Sequence, residues 1–216
     1  MNTVLQYALI LAVLVALAIP LGRYIKKVMF GERTLLSRVL TPCEKALYRV
    51  LHIDENEQMS WKKYAVSVLV FSAVGLVFLF LLQLFEGNTS WDLSFNTAVS
   101  YITNTNWQAS GGSSSLGFLT QVLGLTVQNF VSAAVGIAVL FALIRGFLLV
   151  KSEGLGSFWV DATRIILHVL LPVNLVIALV LVGGGVMQNF KQSETVTLLE
   201  PVAVSAEGEI LKDAVI

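Results

Sequence analysis

The sequence predicts an all-α membrane protein, and three observations carry this prediction. Of its 216 residues 56% are hydrophobic and only 13% are charged, and the mean hydropathy is +0.79. Soluble domains usually carry about 25% charged residues, and a charge placed in hydrocarbon costs several kcal/mol. Four apolar runs each have about the 20 residues that a helix needs to cross a bilayer. These runs are residues 4–21, 64–85, 125–150 and 165–186.

The first apolar run indicates a retained membrane span and not a cleaved signal peptide. No Lys or Arg precedes it, it is longer than a signal-peptide apolar region, and the first basic residue, Arg23, comes after it. We therefore predict a transmembrane helix over residues 1–22 with its N-terminus outside the cell.

The basic residues define the orientation of the spans. Nine of the fourteen Lys and Arg residues lie within residues 23–63, and none lies between Lys63 and Arg145. Cytoplasmic loops carry the excess of positive charge. Residues 23–63 are therefore predicted to form a cytoplasmic basic loop, with residues 86–124 outside.

Within the basic loop, Thr41 and Pro42 predict the start of a short surface helix. Threonine is a good N-cap and proline suits the first helical position. The single cysteine, Cys43, excludes an internal disulfide and a multi-cysteine metal site. At the end of the third apolar run, Arg145 is expected to extend its charged group towards the aqueous phase or to pair with Glu153.

The segment between the second and third apolar runs does not fit an ordinary loop. Ser90 is a plausible N-cap, and Asp92 would lie in the first turn of a helix, where an acid is favourable. A helix over residues 91–102 is too short to cross the bilayer but long enough to enter it halfway. Its apolar residues fall on one face; they are Trp91, Phe95, Val99 and Ile102.

A polar turn, "TNTN", follows this half-helix. A span, a half-helix, a polar turn and a second span together resemble the pore-loop unit of cation channels, so residues 64–150 are predicted to form one such unit. Backbone at membrane depth is tolerated where it lines a cavity, and backbone carbonyl oxygens can replace the water around a monovalent cation. The lack of charge from residue 94 to 130 favours a neutral filter. The alternative is a helix end and turn on the outer surface that binds no ion.

The rest of the chain is predicted to contain one more span and a tail. Residues 151–186 would form a cytoplasmic linker and a fourth span. Residues 187–216 alternate Thr, Val and acidic residues, which predicts a short extracellular tail that favours β-strands.

Three stretches closely resemble a known family, the potassium-transporting ATPase A subunit (KdpA), which belongs to the superfamily of K+ transporters related to Trk and Ktr. The resemblance covers essentially the whole chain. The stretches are "SWDLSFNTAVSYITNTNWQ" from residue 90, "GLTVQNFVSAAVGIAVLFALIRGF" from residue 124 and "WVDATRIILHVLLPVNLVIAL" from residue 159.

The resemblance implies an initial helix followed by four span–pore-loop–span repeats, whose loops line one selectivity filter. This chain would then be an N-terminal fragment with one repeat, one of the four filter loops and the first span of the next repeat. Its transported ion would be K+, with no organic cofactor. The filter would be formed by Thr103, Asn104, Thr105 and Asn106, and it would be supported by Trp107, Gln108, Gln128 and Asn129.

The resemblance also implies partners and a location. The chain would not hydrolyse ATP itself but would work with a KdpB-like P-type ATPase subunit and with KdpC-like and KdpF-like subunits. The complex would be a high-affinity K+ uptake pump of the bacterial inner membrane, and no nucleic acid is expected. The chain departs from the family pattern at Ser110 and Ser113, where an aromatic residue and a glutamate are usual.

Two other functions fit the residues. The chain could be a stand-alone cation channel with one repeat, in which four copies close a ring. It could also be a membrane scaffold that transports nothing, with residues 86–124 as an outer lid.

Overall fold

The computed structural model describes residues 3–87, 89–107, 109, 116–148 and 154–186. These residues form helices and connecting loops, and no strand occurs among them. The predicted tail, residues 187–216, lies outside the described residues.

Six helices make up the described part of the chain. They are α1 (Thr3–Met29), α2 (Ser37–Leu51), α3 (Trp61–Glu86), α4 (Trp91–Ile102), α5 (Thr120–Leu148) and α6 (Phe158–Gly183). Helix α5 begins with a π-helical turn, Thr120–Leu125, and α6 contains one, Ile165–Leu170.

Four of these helices, α1, α3, α5 and α6, are long and apolar enough to cross a membrane. Most of their surface is exposed, as expected of helices whose solvent is lipid. The prediction of an all-α, multi-pass membrane protein is confirmed. Helix α1 continues beyond residue 22 to Met29, and its last turn carries Lys26 and Lys27, whose charges suit a helix C-terminus.

The prediction that Thr41 caps the helix of the basic loop is wrong. Helix α2 begins at Ser37, and Pro42 lies inside it. The backbone N–H of Thr34 donates to Ser37 Oγ at 2.8 Å, so a side-chain contact fixes the chain just before this helix. Proline removes only one main-chain hydrogen bond, and burial of Glu44 and Tyr48 on the following turns holds the helix in place.

The larger hydrophobic cluster lies where α3, α5 and α6 meet. Ala134, Ala138 and Ala142 line one face of α5, and their small size lets the helix backbones approach closely. Phe158 at the start of α6 is fully buried and meets the ring of Tyr64 edge-on at 5.7 Å.

A buried ion pair joins the same three helices. Both terminal nitrogens of Arg145 donate to Asp161, at 2.5 and 2.9 Å. Tyr64 Oη lies 3.1 Å from the same carboxylate and 2.9 Å from the carbonyl oxygen of Ala138. Arg145 therefore does not extend freely to water, as expected from its position near a span end, but is bonded to Asp161. Its other predicted partner, Glu153, lies outside the described residues. Asp161 is 2% exposed and satisfies the Arg145 charge inside the protein.

A second polar cluster ties α2 to α6. The Glu44 carboxylate accepts from Tyr48 Oη at 2.6 Å and from Arg164 Nε at 3.0 Å, and it lies 2.9 Å from His168 Nε2. Burial acts to raise the pKa of Glu44, but hydrogen bonds from Tyr48, Arg164 and His168 outweigh it and hold the pKa below its usual value. Helix α2 of the basic loop is therefore attached to the fourth span by charge.

Proline explains a contact between the first and fourth spans. Pro172 has no N–H, so it cannot donate to the carbonyl of His168 one turn before it. The hydroxyl of Tyr24 on α1 donates to that carbonyl instead, at 2.6 Å. A side chain from a neighbouring helix thus donates to a backbone carbonyl to which Pro172 cannot donate.

Candidate functional site

The short helix α4 is held between two spans by its small polar face. Ser94, Thr97 and Ser100 are buried, and Ala98 is fully buried among apolar residues of α3 and α5. Gln83 of α3 donates through Nε2 to the carbonyl of Ser94 at 3.0 Å. Small side chains spaced three residues apart allow the backbone of α4 to lie close to its neighbours.

The start of α4 follows the local sequence. Ser90 occupies the N-cap position with an extended backbone, although its side chain makes no capping hydrogen bond to the helix backbone. Asp92 in the first turn is favourable beside the positive end of the helix.

The backbone N–H groups of the polar turn all point back to the end of α4. Each donates to a carbonyl in the last turn of the helix, at 3.0–3.3 Å. The carbonyl oxygens of the turn accept no hydrogen bond from the described residues. The donors are Thr103 (to Val99), Asn104 (to Tyr101), Thr105 and Asn106 (both to Ser100).

This arrangement depends on two left-handed residues. Asn104 has φ 57° and Asn106 has φ 54°, a conformation that asparagine tolerates better than most residues. Thr103, just before them, has φ −80° and ψ 2°. A right-handed residue followed by a left-handed one directs successive N–H groups to one side of the chain. The turn therefore keeps its donors against α4 and leaves its acceptor oxygens available.

Three side chains of the turn, those of Thr103, Asn104 and Thr105, have hydrogen-bond partners among the described residues. Thr103 Oγ1 donates to the carbonyl of Val99 at 2.9 Å and lies 2.9 Å from Thr105 Oγ1. Ser132 Oγ of α5 lies 3.3 Å from Asn104 Oδ1. Trp107, a predicted support residue, is 62% exposed among the described residues. The predicted support residue Gln108 lies outside the described residues, as do Ser110 and Ser113.

The two predicted support residues on α5 occupy different positions. Gln128 is half-buried where α3, α4 and α5 meet, and its side-chain oxygen faces Gly75. Asn129 is exposed, and its backbone carbonyl lies 3.2 Å from Ser132 Oγ. Ser132, which the sequence reasoning missed, lies one turn after Gln128 on the same face of α5. Its polar side chain in an apolar span was the signal that could have found it.

Glu86 is a second residue that the sequence reasoning missed. Its carboxylate accepts from the backbone N–H groups of Leu119 and Thr120, at 2.9 and 2.8 Å. These are free donors at the start of α5, where a negative charge is favourable. Glu86 therefore fixes the C-terminal end of α3 to the beginning of α5.

Gly75 is expected to be intolerant of large side chains. A β carbon there would lie 2.9 Å from Ile102 Cδ1 and 3.0 Å from Gln128 Oε1. We expect Gly75→Leu to lower the free energy of unfolding by about 1–3 kcal/mol, because overpacking forces the end of α4 away from α3. Thermal unfolding in detergent measures this loss. Gly136→Leu is the matched control, since nothing lies within 4 Å of a β carbon at that exposed position; equal losses in both variants would contradict the prediction.

The fold and the site define the class of this protein: a multi-pass membrane protein in which a half-helix and a polar turn lie between two spans. The chain matches the family "Potassium-transporting ATPase A subunit" (KdpA) over residues 8–212. It belongs to this family.

Curated relatives agree with this assignment. Proteins named potassium-transporting ATPase potassium-binding subunit are 57% identical in Clostridium botulinum and 55% identical in Clostridium perfringens, and these matches cover 100% and 99% of this chain. A Listeria monocytogenes protein of the same name is 49% identical over 91% of this chain. The chain spans 39%, 39% and 37% of the length of these relatives, respectively.

Proposed function

We propose that this chain provides part of the potassium-binding and potassium-translocating subunit of an ATP-driven, high-affinity K+ uptake pump. Thr103, Asn104, Thr105 and Asn106 would form one of four selectivity-filter loops. The observation that carries the proposal is the polarity of the turn: its four N–H groups bond to the end of α4, while its carbonyl oxygens have no hydrogen-bond donor among the described residues.

The chemistry of the turn suits a dehydrated alkali cation. Carbonyl dipoles replace the hydration shell of K+ without adding a full negative charge. The C-terminal end of α4, which is the negative end of its dipole, lies directly behind the turn. In this proposal Ser132 and Gln128 support the loop from α5. Trp107, Gln108 and Asn129 would support it once the four loops form the complete filter.

The energy for uptake would come from another chain. We propose a KdpB-like P-type ATPase subunit as the part that hydrolyses ATP, with KdpC-like and KdpF-like subunits completing the complex. In this proposal the chain lies in the bacterial inner membrane with its N-terminus outside, and the excess of basic residues in residues 23–63 supports a cytoplasmic position for that face.

Potassium-stimulated ATP hydrolysis by the complex that contains this chain tests the proposal. Asn106→Asp keeps a residue that tolerates the left-handed conformation but adds a charge to the turn. We expect the K+ concentration for half-maximal activity to rise, or Na+ to become a substitute. A complex with unchanged K+ affinity and selectivity would contradict a filter role for the turn and would fit a scaffold instead.

The alternative of a stand-alone tetrameric channel makes a different prediction. Four copies of this chain would cross-link as a tetramer and conduct K+ through vesicles without a partner subunit or ATP. Under our proposal, uptake requires the partner that hydrolyses ATP.

A further inference from the structure

We propose that the cytoplasmic end of this chain holds the phosphate headgroup of an anionic phospholipid, in a cavity between α1, α2 and α6. The cavity measures about 770 Å³. Its basic lining residues are Arg33, Arg38, Lys45 and Arg164. This inference rests on the cytoplasmic orientation proposed above but is independent of K+ binding by the turn.

Arg164 is placed to bind a phosphate from inside the cavity. Its Nε is bonded to Glu44, whereas its two terminal amino groups have no hydrogen-bond partner among the described residues. Both terminal nitrogens approach Gly31, where a β carbon would lie 3.6 Å from each. An arginine with free N–H groups suits a phosphate oxygen better than a lysine does, because its planar group can donate two hydrogen bonds at once.

The charge of the cavity lining favours an anion, because one of its three acidic residues is already bonded to neighbouring side chains. Glu44 is already engaged by Tyr48, Arg164 and His168. Glu32 and Glu55 are the other two acidic lining residues, against the three basic residues Arg33, Arg38 and Lys45. Arg38 and Lys45 lie seven residues apart on one face of α2, whereas Arg49 does not line the cavity.

The apolar surface beside the cavity identifies a lipid as the source of the phosphate. Val39 and Val50 are 68% and 71% exposed on a neighbouring face of α2, and Leu35 just before the helix is fully exposed. Glu44 holds α2 against Arg164 and His168 at the cytoplasmic end of a membrane span. A helix with one apolar and one basic face lies in the membrane interface, and basic pockets at the cytoplasmic ends of spans bind anionic headgroups.

Lipid binding to the purified chain tests this inference. We expect native mass spectrometry of the delipidated chain to show about tenfold stronger binding of phosphatidylglycerol than of phosphatidylcholine. The double variant Arg38→Gln, Lys45→Gln should lose this preference. The matched control Arg49→Gln, Lys62→Gln removes two positive charges outside the cavity and should retain it.

A charge-conserving variant and a competition experiment with inorganic phosphate complete the test. The charge-conserving variant Arg38→Lys, Lys45→Arg should keep the preference, which separates loss of charge from loss of folding. Retention of the preference by Arg38→Gln, Lys45→Gln would overturn the inference, as would an equal loss in the control. Displacement of phosphatidylglycerol by millimolar inorganic phosphate would also overturn it, because the site would then take a free anion and not a lipid.

Discussion

Replacing Asp161 with alanine is expected to lower the free energy of unfolding by about 3–5 kcal/mol, because it leaves the Arg145 charge without its partner inside the protein. Arg145 donates two hydrogen bonds to this carboxylate, and its side chain is only 17% exposed. Tyr64 would lose an acceptor at the same time, although it keeps the carbonyl of Ala138. The loss should separate the start of α3, the end of α5 and the start of α6, where these three side chains meet.

Chemical and thermal unfolding of the chain in detergent measures this effect. The double variant Arg145→Met, Asp161→Leu should recover most of the lost stability, because a well-packed apolar pair replaces a buried ion pair at little cost. Asp54→Ala, outside both polar clusters, serves as the matched control. A loss below about 1 kcal/mol in Asp161→Ala, as for an exposed ion pair, would show that water already screens the pair.

Under the proposed filter role of the turn, replacing Asn104 is expected to have the largest effect on K+ binding, and the size of this effect depends on the substitute. Alanine removes the Ser132 contact and is strained at φ 57°. The left-handed conformation costs a residue with a β carbon about 1–2 kcal/mol, and a hydrogen bond contributes about 1 kcal/mol. A combined change of about 2–3 kcal/mol corresponds to a fall of roughly thirty-fold or more in K+ affinity.

Two further variants separate the backbone from the side chain. Asn104→Gly and Ser132→Ala each remove the contact but leave the backbone unstrained, so each should weaken K+ binding by only about fivefold. The K+ concentration that half-saturates ATP hydrolysis by the complex is the measurement. If Asn104→Ala and Asn104→Gly were equal, the left-handed backbone would have no part in ion binding.

The fold class follows from the sequence because lipid imposes one strong rule on every residue that faces it. A run of about 20 apolar residues must satisfy its backbone hydrogen bonds internally, so length and hydropathy alone predict helices. The same rule could not place the start of α2, because this helix is outside the four spans. A contact between Thr34 and Ser37 decides its first turn, whereas Thr41 carried the better capping signal.

The polar turn was predicted as a feature of interest from its composition, but its geometry was not. Four uncharged polar residues after a half-helix suggest an ion-binding loop. The direction of the N–H groups depends on φ at Asn104 and Asn106, and the sequence allows several conformations there. The fixed conformation comes from the carbonyls at the end of α4 and from Ser132 on another helix.

By itself, the sequence determined the four spans, the basic face that we assign to the cytoplasm and the family, because hydropathy, charge and motif are properties of contiguous residues. The tertiary structure alone decided which partners the polar residues find. Arg145 pairs with Asp161, Glu44 joins Arg164 and His168, and Glu86 holds the start of α5. The physical reason is that a polar group in an apolar protein must find a partner, and only the packing of the helices brings that partner within hydrogen-bond distance.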